Sequence, residues 1–86
     1  MTRYFFDVSD ADFSAYDYDG TECSDRNAAL EEALRTACEI AADKPQKYTR
    51  GKLQVRVRDE SKSVVFSCAI ELSVTGHGAS KLATAA

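Results

Sequence analysis

The sequence contains few of the residues on which most metal proteins and enzymes depend. Its 86 residues include one histidine, one proline and no tryptophan, and its three cysteines are far apart, with no C-x-x-C pair. Zinc sites use four ligands that usually come in close pairs, so this spacing excludes the common zinc folds. No apolar run approaches the ~18 residues that a transmembrane helix needs, which argues against a membrane protein.

The first residues also contain too short an apolar stretch for a secretory signal peptide. An odd number of cysteines without such a peptide indicates reduced thiols in the cytoplasm. Cys38 and Cys68 fall on the apolar faces of the elements described below, so we expect them to be core residues. Cys23 is expected to lie in a loop.

The charges are unevenly distributed along the chain. Residues 1–43 contain three basic and eleven acidic side chains, whereas residues 44–86 contain eight basic and three acidic ones. The protein is an electric dipole if the two halves occupy different faces of the fold. If the halves interleave, the two fields cancel.

Alternating apolar and polar residues predict four strands. Period-2 patterns are present at residues 3–9, 13–18, 53–58 and 64–74, and this period is typical of a strand with one buried face. The last pattern is the longest, with six apolar matches in succession. Polar turns at residues 10–12 and 59–62 are expected to join the strands into two hairpins.

A helix is predicted between the two hairpins. Ser24 and Asp25 are both suitable N-cap residues, and Lys44-Pro45 ends the segment, since proline disfavours helical backbone in the residue before it. Three- and four-residue spacing predicts an apolar stripe that faces the sheet: Leu30, Ala33, Leu34, Ala37, Cys38, Ile40 and Ala41.

The predicted fold is therefore α+β: a four-stranded, mainly antiparallel sheet with one helix packed on one face, in the order β-β-α-β-β. A single helix covers only one face of such a sheet. Residues 1–75 are expected to form one domain. Residues 76–86 contain too little apolar surface to offset the entropy of ordering, so they are expected to form a flexible C-terminal tail.

Three short motifs resemble a known family. They are the opening Arg3-Tyr4-Phe5-Phe6-Asp7, the turn Asp17-x-x-Gly20-x-Glu22, and Val55-x-Val57-Arg58-Asp59 at the second hairpin. Together with the alanine-rich helix, they resemble a small alphaproteobacterial family of unknown function, whose members are often stand-alone chains of this length. The resemblance implies a cytoplasmic bacterial protein and no activity or cofactor. This chain has Ser61-Lys62 where the family usually has a glycine in the second hairpin turn.

The acidic segment from Asp10 to Asp25 is a candidate metal site. Asp17-Tyr18-Asp19-Gly20 resembles the start of a calcium loop, but such a loop ends in a bidentate carboxylate at its twelfth position. That position is Ala28 here. Solvated turn residues that also compensate the helix N-terminus explain the acids more simply, and we predict no metal ion.

No enzyme site is predicted either. The only histidine, His77, lies between two glycines near the C-terminus, and no nucleotide-binding glycine loop is present. A pair of catalytic carboxylates needs a pocket that separates their pKa values, and a single small sheet leaves little room for one. We therefore predict no catalytic residue and no cofactor.

The face of the sheet away from the helix is the predicted interaction surface. Arginine beside aromatic and small apolar residues suits a contact with another protein, and also single-stranded nucleic acid, although the pI near 5.0 is far from that of typical nucleic-acid-binding domains. The candidate residues are Phe5, Arg56, Arg58, Val65, Ser67 and Ala69.

The sequence thus predicts a non-enzymatic protein-interaction module that forms a homodimer, through either the open sheet face or the edge of the long last strand. A nucleic-acid-binding regulator that uses Arg56 and Arg58 is the alternative. The sequence also allows a different protein as the partner and does not identify it.

Overall fold

The computed structural model describes residues 1–78 as one antiparallel sheet with a single α-helix against it, which confirms the predicted α+β fold. The elements follow in this order: β1 (Thr2–Ser9), β2 (Ser14–Ala15), β3 (Thr21–Cys23), α1 (Arg26–Asp43), a 3₁₀ helix (Pro45–Thr49), β4 (Leu53–Arg58) and β5 (Val64–Ile70). Most of the tail predicted at 76–86 lies outside the described residues.

The first hairpin differs from the prediction. The strand expected at 13–18 is only two residues long, and β3 is an additional strand, so the sheet has five strands. The strand order is β2-β1-β4-β5, and β3 pairs with the first part of β1, next to β2 along the same edge. Between β2 and β3 the chain leaves the sheet at residues 16–20.

The core lies between α1 and one face of the sheet. The strand register aligns Val8, Val55 and Cys68 across β1, β4 and β5 on this face. The residues of β4 that face the helix are fully buried: Leu53, Val55 and Val57. The buried residues of α1 are all alanines, spaced four apart: Ala29, Ala33, Ala37 and Ala41.

The predicted orientation of α1 is therefore partly wrong. Leu30 and Leu34 are 36% and 47% exposed, and Cys38 is exposed as well. The helix has two apolar stripes with the same four-residue spacing, one of alanines and one with Leu30, Leu34 and Cys38, and only one of them can face the sheet. Because the side chains of β4 are large, we attribute the result to size complementarity: small alanines let the helix approach closely enough to fill the interface without gaps.

The ends of α1 agree with the prediction. The Asp25 carboxylate accepts a hydrogen bond from the backbone N–H of Ala28 at 2.8 Å, as an N-cap should. At the other end, the helix stops at Asp43, before Lys44-Pro45.

Two of the cysteines differ from the prediction, whereas Cys68 packs against the core as expected. Cys23 belongs to β3 and is buried, Cys38 is exposed on α1, and Cys68 is half-buried on β5. Burial raises the pKa of the Cys23 thiol. The expected loop around Cys23 is a strand because its backbone pairs with Thr2 of β1.

β5 is shorter than predicted and ends at Ile70 instead of residue 74. The chain turns toward the 3₁₀ helix, where Leu72 N–H donates to the carbonyl oxygen of Tyr48 at 2.8 Å. In the turn before β5, Lys62 has a φ of 72°. This is left-handed backbone, which favours glycine, and it lies in the turn where the resemblance leads one to expect a glycine.

Candidate functional site

Five of the six residues of the predicted surface share the sheet face away from α1, and the sixth, Val65, lies apart from them. Phe5 is opposite Arg58, and Arg56 is opposite Ser67, on the sheet face away from α1. Farther along that face, Ala69 is exposed. Val65 is the additional residue at an irregularity in the β4–β5 pairing, and it lines a groove beside α1. The structure therefore places the predicted surface on one face of the sheet, without Val65.

Arg58 is the most buried of these residues, although it was predicted on an open face. It is only 6% exposed. Its Nε and Nη2 donate to the two carboxylate oxygens of Asp7 at 2.7 and 3.0 Å, and Nη2 also donates to the backbone oxygen of Asp17 at 2.9 Å. The guanidinium carbon lies 4.1 Å from the ring centroid of Tyr16 and 5.0 Å from that of Phe5. We call these five residues the Arg58 clasp.

Asp17 attaches residues 16–20, the segment that covers Arg58, to the sheet. Its Oδ2 accepts the backbone N–H of Phe6 at 3.0 Å, and its own N–H donates to Asp7 at 2.9 Å. Its Oδ1 accepts the N–H groups of Asp19 and Gly20 at 3.1 and 3.0 Å. The carboxylate thus occupies the part of the β1 edge that lies between β2 and β3. Asp17 therefore holds residues 16–20 over Arg58.

The charges of the clasp stabilise each other. The hydrogen bond from Arg58 is the main reason that the pKa of Asp7 is lowered, and the same bond raises the pKa of Arg58. Both groups are therefore held in their charged forms. A fork of two hydrogen bonds between arginine and a carboxylate is among the stronger polar contacts in proteins.

One atom of the clasp lacks a hydrogen-bond partner. Nη1 of Arg58 is the buried side-chain polar atom that remains unpaired within residues 1–78. The neighbouring rings of Tyr16 and Phe5 stabilise the cation by cation–π attraction, which compensates part of that loss. The Asp7 carboxylate binds Arg58 and the Asp17 N–H, and the Asp17 carboxylate binds the backbone N–H groups of Phe6, Asp19 and Gly20. The arrangement therefore suits a structural role better than acid–base chemistry.

The open part of the sheet lies toward β5. Arg56, Ser67 and Ala69 are exposed there. β5 has β4 on one side, and no strand of the described chain pairs with its other edge. Unpaired backbone groups along such an edge can pair with a further strand. This edge, with its outward N–H and C=O groups, is the candidate site for an interaction.

A groove runs beside this edge, between α1 and β5. It has a volume of about 540 Å³. Its walls are formed by the first turns of α1 and the start of β5: Arg26, Asn27, Leu30, Val65, Phe66 and Ser67. Leu30 therefore points toward the β5 side of the helix. The groove joins the free strand edge to exposed apolar residues of α1.

The acidic segment organises the backbone. Asp10, Asp17 and Asp25 each accept backbone N–H groups within four residues of their own positions. Within residues 1–78, no group of three or more potential ligands is placed to hold a metal ion. No described helix is both long and apolar enough to cross a membrane.

Asp10 connects the first hairpin to the 3₁₀ helix. Its side chain is 2% exposed, and it accepts hydrogen bonds from Lys47 at 3.0 Å and from the Tyr48 hydroxyl at 2.8 Å. Burial by itself raises the pKa of this carboxyl. The hydrogen bonds from Asp12, Lys47, Tyr48 and Phe13 outweigh that effect and lower the pKa to about 2.

Asp10→Asn is expected to destabilise the protein in a pH-dependent way. The carboxyl has a pKa of about 2 in the folded chain and an ordinary value of 3.8, so its stabilising effect is complete above pH 4 and is lost as the pH falls toward 2. Melting curves of both proteins at pH 7, 4, 3 and 2 should differ by several degrees at pH 7 and converge at pH 2. Asp12→Asn is the control, because the Asp12 side chain is 72% exposed. A difference that does not change with pH would contradict the assignment.

The sequence interpretation missed Asp7, Tyr16, Asp17 and Gly20 as members of one arrangement. A signal was present, because three of them belong to the motifs that carried the family resemblance, together with Arg58 itself. The structure brings the three motifs to one place on the sheet. Their spacing along the chain shows no such contact.

Comparison with known proteins gives one match. The family model described as "Domain of unknown function (DUF6894)" matches residues 3–71. No curated protein and no solved structure matches the chain. The family model covers more than half of the sequence, and the chain therefore belongs to this family.

Proposed function

We propose that this member of the DUF6894 family is a non-enzymatic, cytoplasmic protein-interaction module that self-associates through the free edge of β5. The observation that carries the proposal is the outer edge of β5, with which no strand of residues 1–78 pairs. β5 is seven residues long, and none of its residues is charged. Natural proteins usually protect an edge strand with charges, proline, a bulge or a cover. β5 has an irregularity only at its start, between Val64 and Phe66.

The pairing of most polar groups in the Arg58 clasp supports a binding role rather than an enzymatic one. The polar cluster on this sheet face is the Arg58 clasp, in which the guanidinium binds the Asp7 carboxylate and the backbone oxygen of Asp17. Catalytic groups need at least one donor or acceptor directed at a substrate. The described thiols are all free, in keeping with the reducing cytoplasm.

The structure supports the nucleic-acid alternative less well. Of the two arginines on which it depends, Arg58 is buried and paired with Asp7, and only Arg56 is exposed. One exposed arginine is a small basic patch for binding phosphates. Phe5 lies against the guanidinium of Arg58, so this ring is already engaged within the fold. We therefore favour a protein partner, and a second copy is the simplest one.

Light scattering at micromolar concentration tests the proposal. Wild-type protein should have about twice the mass of 9.4 kDa, because a twofold dimer is the commonest closed assembly. Ala69→Arg should be a folded monomer. Ala69 is exposed, so the change is tolerated within one chain. Near a twofold axis, however, it brings two positive charges together on paired edges.

Gln54→Arg is the matched control, because Gln54 is directly opposite Ala69 on β4, one strand away from the edge. It should remain a dimer if the edge is the interface. Monomers from both variants would instead place the contact on the sheet face. A wild-type protein that stays monomeric up to millimolar concentration would overturn the proposal.

A further inference from the structure

We infer that a second contact accompanies the β5 edge: the side of α1 next to β5 packs against the same side of α1 in a second copy. This inference rests on the proposed self-association and adds a second contact surface to it. The surface is defined by four residues at four-residue spacing, which we call the β5-side stripe: Leu30, Leu34, Cys38 and Ala42.

The two sides of α1 differ in exposure. The four buried alanines show which side of the helix faces the sheet. The residues that directly precede these alanines lie on one flank of the helix, and those that directly follow them lie on the other. On the β3 side, Ala28, Glu32, Thr36 and Ile40 are all half-buried. All four residues of the β5-side stripe are exposed. The side with more leucine is thus the side that residues 1–78 leave uncovered.

Two observations place this stripe on the side of β5. Leu30 lines the groove whose opposite wall is β5. Cys38 lies near enough to Cys68 of β5 to raise the pKa of that thiol, although burial of Cys68 is the larger cause. The opposite side faces β3, because Glu32 acts in the same way on Cys23.

The charge pattern of α1 favours contact along this stripe. The helix carries four carboxylates, and all four lie on its other sides: Glu31, Glu32, Glu39 and Asp43. A stripe without acidic residues on an acidic helix is typical of a buried surface. Two antiparallel copies of the stripe bring leucine, cysteine and alanine side chains together, with no like charges opposed.

Geometry selects a second copy as the partner. α1 packs on β4 and β5, and neighbouring strands are about 4.8 Å apart. Suppose that the β5 strands of two copies pair about a twofold symmetry axis. Because α1 packs over both β4 and β5, the helix axis of each copy then lies about 5 Å from that symmetry axis. The two helices are then about 10 Å apart, which is within the packing distance of α-helices.

The edge of β5 is too small to form a stable interface without a second contact surface. An edge of seven residues is about 24 Å long and one strand thick. A stable interface buries about 800 Å² on each partner, and one strand edge supplies only a fraction of this area. The β5-side stripe lies beside that edge, so both surfaces are buried in a single assembly.

Cysteine cross-linking tests the inference. In a background with Cys23→Ala, Cys38→Ala and Cys68→Ala, Leu34→Cys places a single thiol at the centre of the stripe. The Cα atoms lie about 2.3 Å from each helix axis, so facing residues are about 5 Å apart, which suits a disulfide. Mild oxidation should convert most of this protein into a covalent dimer. Glu39→Cys, on the solvent side, should give at least tenfold less.

A second variant tests the same contact in a chain that keeps its three native cysteines. Leu34→Glu in the wild-type chain should raise the dimer dissociation constant at least tenfold, while the Tm of the monomer stays unchanged because Leu34 is exposed. Arg35→Glu adds a carboxylate at the next residue, whose side chain is 63% exposed, and should leave the dissociation constant unchanged.

The outcomes separate this inference from the proposed function. A wild-type dimer that Ala69→Arg disrupts, but in which neither Leu34→Cys cross-links nor Leu34→Glu weakens association, would overturn the helix contact and leave the edge contact standing. A monomeric wild-type protein would overturn both.

Discussion

Arg58→Met is expected to lower the free energy of unfolding by about 3 kcal/mol. The change leaves the Asp7 carboxylate, which is mostly buried, without its partner, and removal of one member of a buried ion pair costs about 3–5 kcal/mol. The rings of Phe5 and Tyr16 also lose the cation between them. A domain of this size has about 4–12 kcal/mol in total. Urea unfolding followed by circular dichroism measures the change.

Arg56→Met is the control for this experiment. Arg56 is on the same strand and the same face, two residues away, but it is exposed, so its replacement should change stability by less than about 0.5 kcal/mol. Arg58→Lys should recover only part of the loss, because an ammonium group cannot form the fork to Asp7. Equal effects of the two methionine variants would mean that the clasp adds nothing to stability.

Gly20→Ala is expected to have a similarly large effect, with a loss of at least about 2 kcal/mol. Gly20 has a φ of +73°, and a Cβ there lies 2.8 Å from Arg3 Cγ and Phe5 Cε2 and 2.9 Å from the Tyr4 backbone oxygen. The left-handed backbone by itself costs about 1–2 kcal/mol for a residue with a side chain. Because Tyr4 O belongs to the backbone of β1, the strand or the turn must also shift.

Gly51→Ala provides the comparison. Beyond the two neighbouring residues, no atom lies within 4 Å of a Cβ at Gly51. Alanine should therefore be neutral, or stabilise the protein by about 0.5 kcal/mol because it lowers the conformational entropy of the unfolded chain. The two variants should be compared by thermal melting under one set of conditions. Equal melting temperatures would contradict the close packing of residues 17–20 on β1.

These two experiments test one interpretation of the family motifs. Asp7 and Arg58 form the ion pair, Asp17 ties the covering segment to β1, and Gly20 lets the chain approach β1 closely. The motifs therefore specify how the first hairpin closes over the sheet. The interaction surface that we propose lies elsewhere, on β5 and the neighbouring side of α1.

Local signals were sufficient to predict the elements and their order. The Asp25 N-cap, the stop before Pro45 and the alternation along 53–58 each depend on residues close together in the chain. Because such patterns record which residues share a face, they predicted a helix and an antiparallel sheet. They also led to the idea that the last strand is an exposed edge.

Contacts between distant residues decided the rest. Arg58 was predicted on an open face, and it is buried because Asp7, 51 residues earlier, and residues 16–17 close over it. α1 presents alanines to the sheet, which we attribute to the larger side chains of β4, and Leu30 and Leu34 are exposed beside β5. Periodicity states which residues lie on one side of an element. Only the sizes and charges of distant side chains determine what covers that side.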